Sequence, residues 1–241
     1  MQIPLVFGKG PRDTARTREV PRSLTMTAAP LEKGPSPIRV HVMEEWLRSY
    51  PRQEDAKYLL KGFKYGFRIP AVEERKAFMA QNLRSVLGME CIVQQKIDKE
   101  VREGRVLGPF SKPPMENLRV SPLGIVPKKA PGEFRLIHHL SFPEGGSVKD
   151  AIPQDLCTVR YTSFDEAVKM IRKCGLGAEL AKCYIKSAFR LLPDHPHDFN
   201  LLGFQFGGAF YVDRAYPWDA RCRVPLSRSS AHLLNGDLDT W

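Results

Sequence analysis

Apolar positions along the chain follow a helical rhythm in the first half and a strand-like one in the second. Val42, Trp46 and Leu47, then Tyr58, Leu59, Phe63 and Phe67, recur near three- and four-residue spacing, which predicts two short helices after Ile38. A longer helix is predicted over Arg84–Gly104, with Val86, Leu87, Ile92, Val93, Ile97 and Val101 on its apolar side and Gly104 as its stop. These stripes read as core packing, not as a cofactor surface. Residues 1–37 show no sustained apolar period and are rich in arginine and proline (Pro4, Pro11, Pro21, Pro30, Pro35, Pro37), so they read as a disordered basic leader.

Beyond Gly104 the texture turns to strands. Arg105-Val106-Leu107 runs into Gly108-Pro109. Leu123–Val126 and Phe134–Ile137, bounded by Pro127 and the polar stretch Lys128–Glu133, predict a hairpin with a basic tip. Ser163-Phe164-Asp165-Glu166 is a capping box for a helix running to about Cys174, ended by Gly175 and Gly177. Ala178–Ile185 reads as a buried strand. Two more strands, near Leu201–Phe206 and Phe210–Val212, flank Gly207-Gly208, a two-residue hairpin signal. There is no internal repeat, and the expected fold class is α+β: an N-terminal helical segment, a hairpin and an antiparallel sheet.

Composition narrows the function classes. With 42% hydrophobic and 10% aromatic residues the chain is globular, and its formal net charge of +10 with a pI near 9.5 favours an anionic partner, most often nucleic acid. A merely soluble basic surface has the same composition. Cys91, Cys157, Cys174, Cys183 and Cys222 are scattered without a C-x-x-C pair, which argues against a zinc module or disulfide framework and suits a reducing compartment. No run of 18 apolar residues exists and Met1–Gly10 lacks the order of a signal peptide, so an intracellular location, cytoplasmic or nuclear, is expected. His138-His139 and His195-x-His197 lack the further ligands of a metal set and read as exposed loop or strand-end histidines. Gly175-Leu-Gly177 is no dinucleotide fingerprint, and neither a P-loop nor a G-x-S-x-G motif occurs.

Two stretches carry more meaning. One is the hairpin Ser121-Pro122-Leu123-Gly124-Ile125-Val126-Pro127-Lys128-Lys129 with its return Phe134-Arg135-Leu136-Ile137-His138-His139. The other is Leu180-Ala181-Lys182-Cys183-Tyr184-Ile185-Lys186-Ser187-Ala188-Phe189-Arg190-Leu191-Leu192-Pro193. Two lysines at a tip and an arginine on the return strand suit a clamp for a triphosphate or backbone phosphate, and equally an ordinary solvated turn. Both stretches resemble the reverse-transcriptase domain of DIRS/Ngaro-type (tyrosine-recombinase) retrotransposons, over roughly Pro37–Pro217. Further ordered matches are Gly-Phe-Arg (66–68), Glu-Gly-Arg-Val-Leu-Gly-Pro-Phe (103–110), Gly-Gly-Ser-Val-Lys-Asp (145–150), Leu-Leu-Gly-Phe-Gln-Phe (201–206) and Tyr-Val-Asp-Arg (211–214). The resemblance implies a fingers hairpin followed by a palm, incomplete here. It puts Lys128, Lys129 and Arg135 where fingers contact the incoming nucleotide's phosphates, and Phe189 where an aromatic ring screens out a 2′-hydroxyl. Core packing is the plainer role for Phe189, and the two are compatible.

The departures bear on activity. Nucleotidyl transfer needs two metal ions, Mg²⁺ in the active family, held by clustered carboxylates. Tyr184 occupies the position where the family places its first catalytic aspartate, and a neutral phenol is a poor magnesium ligand. No Asp-Asp dipeptide occurs, and the likeness stops at Tyr216-Pro217, before Trp218-Asp219. Loss of one base ahead of an ATG-GG run would turn Met-Gly into Trp followed by a GNN-encoded residue, so residues 218–241 read as a non-homologous, frameshifted tail. No intact catalytic residue, no metal and no cofactor is expected. The readings that follow are a catalytically inactive relic of an RNA-directed DNA polymerase, a non-catalytic nucleic-acid-binding module using the basic hairpin, or a translation product without function.

Overall fold

The structure, a computed structural model, describes residues 31–72, 76–157, 163–180 and 188–216. The expected strand at Ala178–Ile185, the position of Tyr184 and the tail from Trp218 fall wholly or mostly outside them. Four helices are present among these residues: α1 (Val40–Leu47), α2 (Gln53–Tyr65), α3 (Glu90–Arg102) and α4 (Phe164–Cys174). Seven strands join them: β1 (Phe78–Met79), β2 (Val106–Phe110), β3 (Arg119–Val120), β4 (Leu123–Pro127), β5 (Phe134–His138), β6 (Gly203–Phe206) and β7 (Ala209–Asp213). The protein is thus α+β.

Five strands form one sheet in the order β1-β3-β6-β7-β2, and β4-β5 stand apart as a two-stranded hairpin. The sheet is mixed, not purely antiparallel: β1 with β3 and β3 with β6 run parallel, while β6-β7 and β2-β7 run antiparallel. β1 and β3, which every parallel pairing involves, are only two residues long, too short for an alternation to be read. At the β6-β7 turn, Gly207 (φ 57°) and Gly208 (φ 79°) both take the left-handed conformation that a two-residue hairpin requires.

The long helix begins six residues later than its apolar spacing suggests. Gly88 has φ 75° and interrupts the run, leaving Arg84–Val86 as a single 3-10 turn. That turn serves β4 instead: Ser85 Oγ accepts from Ile125 N (3.1 Å) and Asn82 Oδ1 from Leu123 N (2.9 Å). Leu87, expected in the core, is consequently exposed. On α3 proper, Val93 and Ile97 are fully buried against Val106, Leu123, Ile125, Phe204 and Tyr211, each contributing on the order of 1.5–3 kcal/mol.

A second core joins α1 and α2 through Leu47, Leu59, Phe63 and Phe67. Trp46, expected with them, is 71% exposed, because it lies a third of a turn from Leu47 on α1. Residues 31–37, expected in the leader, are built into the fold. Leu31 packs beside Phe110 and Phe210, Gly34 is buried, and Ser36 Oγ donates to Leu191 O at 2.9 Å. α4 is capped as its sequence requires, Ser163 Oγ accepting from Glu166 N at 3.2 Å. It nevertheless buries none of its residues.

Candidate nucleic-acid surface and the charge network at its root

The hairpin pairs as its pattern demands, with Leu123 opposite His138, Ile125 opposite Leu136, and Val126 opposite Arg135. Period two then sorts the faces. Leu123, Ile125, Leu136 and His138 face α3 and the sheet, and Arg135 stands on the outer face beside half-exposed Val126. Lys128 and Lys129 follow at the exposed tip. Lys128 Nζ pairs with Glu133 Oε2 at 2.9 Å across the turn, an exposed ion pair of small value. Glu133 in turn sits below the usual carboxylate range, through its hydrogen bond and charge contact with Lys128. The sequence reading missed Lys96 of α3. Its amine is lowered by partial burial and by the like charges of Lys128 and Lys99, so Lys96 lies close enough to Lys128 to add to the basic field of the tip.

Asn82 joins this hairpin to the sheet, donating to Gln205 O (2.9 Å) while its oxygen holds Leu123 N. At the hairpin's root lies a buried charge network. Arg190, on the 3-10 turn Ala188–Leu191, donates from Nη1 to Asp213 Oδ1 (2.8 Å) and from Nη2 to Glu100 Oε2 (2.5 Å). The same Nη1 reaches Ala215 O at 2.8 Å. Asp213 Oδ2 lies 3.1 Å from His138 Nδ1, and His138 Nε2 lies 3.1 Å from Gly203 O. Arg105 adds two bonds to Glu100, at 2.7 and 2.8 Å. Burial works to raise the carboxyls of both Glu100 and Asp213. The guanidinium partners prevail and hold both below the ordinary value, with His138 assisting at Asp213. For Arg190, burial alone would depress the guanidinium, but the two carboxylates raise it.

His138 is therefore a strand-end histidine but a buried one, not an exposed one. One signal was available: Glu100 falls on the apolar stripe Val93–Ile97 at helical spacing, and an acid there demands a buried cation. Arg190 and Asp213 lie within the stretches that resemble the retrotransposon family, yet their pairing spans 23 residues and leaves no local trace.

Phe189 precedes Arg190 and is 60% exposed, its ring 6.3 Å from that of Tyr216. Core packing is thus not its role. The fixed guanidinium next door anchors the turn that presents the ring. The other matched stretches pack together. Phe67 bridges to Asp194, and Arg68 Nε donates to Asp198 Oδ2 at 2.8 Å. Asp150 accepts from Ser147 N and Oγ, and these bonds lower its carboxyl.

The described carboxylates nearby are already engaged or buried: Asp213 is bound to Arg190 and His138, Asp198 to Arg68 and Ile69 N, and Asp194 is buried near Asp213 with neither oxygen hydrogen-bonded among the described residues. Among the described residues no group of three or more His, Cys, Asp or Glu can hold a metal ion. Burial, and then the negative charge of Asp213, push the Asp194 carboxyl well above its ordinary value. Among the described residues no helix is long and apolar enough to cross a membrane.

No family model and no curated protein matches the chain. Among solved structures it is similar to the foamy viral protease-reverse transcriptase in complex with an RNA/DNA hybrid, at 14% identity and a TM-score of 0.47, over 86% of this chain and 28% of that one. The native prototype foamy virus protease-reverse transcriptase gives 15% identity and a TM-score of 0.46, over 89% of this chain and 29% of that one. The complex of the dRH form with double-stranded DNA gives 15% identity and 0.43, over 86% and 36%. The chain spans between 28% and 36% of the length of these proteins.

Proposed function

We propose that this chain is a relic of a reverse-transcriptase domain from a DIRS/Ngaro-like retrotransposon, without polymerase activity, that retains a weak and sequence-independent affinity for nucleic acid. The observation that carries the reading is the hairpin itself. Three cations, Lys128, Lys129 and Arg135, stand exposed on a proline-bounded β-ribbon whose root is fixed by buried ion pairs. Such cations position phosphates without reading bases, and their contribution is entropic release of counterions. The ordered sequence matches over Pro37–Pro217 and the net charge of +10 point the same way. The reading of inactivity rests on Tyr184 at the first aspartate position and on carboxylates that arginines already hold.

Two measurements test it. Binding of a labelled DNA duplex should weaken linearly with the logarithm of salt concentration. The variant with Lys128, Lys129 and Arg135 all changed to Ala should lose up to about 2.7 from that slope, roughly 0.9 per phosphate contact. An unchanged slope would remove the hairpin from the binding surface. Primer extension on RNA or DNA templates with magnesium or manganese should be undetectable, both for the native chain and for Tyr184→Asp, because one restored carboxylate cannot hold two ions. Template-dependent extension by either protein would overturn the inactive reading. Sequencing the encoding DNA tests the frameshifted tail: the alternate frame after Pro217 should read as palm sequence.

A further inference from the structure

Away from the hairpin, an open cleft of about 680 Å³ lies where α2 and α3 end and β7 leaves the sheet. Its chemistry is lopsided. Lys33, Lys64, Arg102 and Arg214 line it against two acids, Glu32 and Glu103, and Glu103 is already held by Arg105. The C-terminal ends of α2 and α3 add about half a negative charge each, which four full cationic charges outweigh.

The cleft is built, not incidental. Gly34 lies so close to Arg214 that a Cβ there would stand 2.3 Å from the Arg214 carbonyl oxygen, so the backbone of 33–35 is seated on this arginine. Arg214 Nη2 donates to Lys33 O at 2.6 Å, fixing the guanidinium. Its Nε–H is buried and has no acceptor among the described residues. An unpaired buried guanidinium N–H is costly, and an oxyanion in the cleft would compensate the charge through the other donors of Arg214. The Lys33 amine is lowered by burial and then by the Arg214 charge, whereas Arg214 is lowered by its own burial and partly restored by Glu32. An anion between them relieves both. Lys64 leans over the exposed Tyr65 ring at 5.3 Å, giving the cleft one flat aromatic wall beside a cation.

We infer that this cleft is a second phosphate-binding site, taking the backbone of a single-stranded nucleic acid, with Arg214 and Lys33 on one phosphate and Lys64 and Arg102 on its neighbours. The inference deepens the nucleic-acid-binding reading and rests on it. A single strand fits better than a duplex because Tyr65 offers a stacking face that only an unpaired base can use.

The test measures binding of a labelled oligothymidylate against salt for the native chain, the Lys64→Ala/Arg102→Ala double variant and the hairpin triple variant. Lys64 and Arg102 are both exposed, so the double variant leaves the packing intact. The double variant should lose about 1.4 from the salt slope, roughly 0.7 per contact on a single strand. An unchanged slope in the double variant, with a reduced one in the hairpin variant, overturns this site and leaves the hairpin reading standing. The converse result supports this site and removes the hairpin. As a local readout, acylation of the Lys33 amine at pH 8, followed by mass spectrometry, should be suppressed by the oligothymidylate. Protection by inorganic pyrophosphate but not by the oligothymidylate would overturn the assignment to a strand in favour of a small free phosphate compound.

Discussion

Asp194 is the residue whose energetics are furthest from ordinary. It is 1% exposed, and neither carboxylate oxygen has a hydrogen-bond partner among the described residues. Burial of an ionised, unpaired carboxylate is far costlier than burial of its neutral acid, so the folded chain keeps the proton. The sign follows. Because the folded-state value is raised, the stability tied to this group is fully present below about pH 4 and is lost as pH rises through the folded value, at about 1.4 kcal/mol per pH unit while only the unfolded chain has released the proton. Asp194→Val should therefore stabilise the protein, by roughly 1–3 kcal/mol at neutral pH, and by more at pH 8 than at pH 5. Urea-unfolding midpoints of both proteins at the two pH values measure this. A variant that is less stable than the native chain at pH 8 would show that the carboxylate is doing something the described contacts do not contain.

The elements differ widely in how tightly they are held. β6 and β7 carry Phe204 and Val212 into the core, and α3 carries Val93 and Ile97, whereas α4 buries nothing. Hydrogen exchange should accordingly be slowest in β6, β7 and α3. The amides of α4 should exchange orders of magnitude faster despite its capped start, since capping contributes only about 1 kcal/mol. Protection of α4 equal to that of α3 would mean that something covers it. The same contrast explains what could be read in the sequence. The β4-β5 hairpin, the Gly207-Gly208 turn and the Ser163 cap are local patterns with local causes, and each was legible. The start of α3 was not, because Gly88 and the bonds from Ser85 and Asn82 to β4 override a continuous apolar period. Nor were β1 and β3, two residues each, whose parallel pairing depends on partners over 40 residues away. Of the basic surface, the hairpin cations were legible as a charged tip, whereas Lys96 and the Lys33–Arg214 cleft arise only when distant elements meet.

At the scale of the whole molecule, Arg190 is where the parts are tied. Its guanidinium contacts Glu100 on α3 and Asp213 at the end of β7, and through Asp213 it reaches His138 at the root of the hairpin. Replacing it with Met removes the shared cation and leaves two buried carboxylates short of one partner, a change expected to cost about 3–5 kcal/mol. The pH dependence should move with it. Glu100 and Asp213 are held low in the folded state, so their stabilisation is present above about pH 4 and lost as pH falls through their folded values. Arg190→Met should flatten that acid limb as well as lower the midpoint, measured by denaturant unfolding from pH 3 to 7. Unchanged stability would mean that the core, not the ion pairs, holds the hairpin to the sheet.

The lone carboxylate at 194 also bears on descent. Selection for a folded product removes destabilising changes until a protein sits just above the stability it needs, and no further. A buried acid with no hydrogen-bond partner among the described residues is a change that such selection eliminates early, and the relic reading proposed above accounts for its survival. Neutral drift would then have left its marks in the interior as readily as at Tyr184. On that reading, related chains still under selection should carry an uncharged side chain at the position of Asp194, and finding an aspartate there throughout would mean that the residue is kept for a reason.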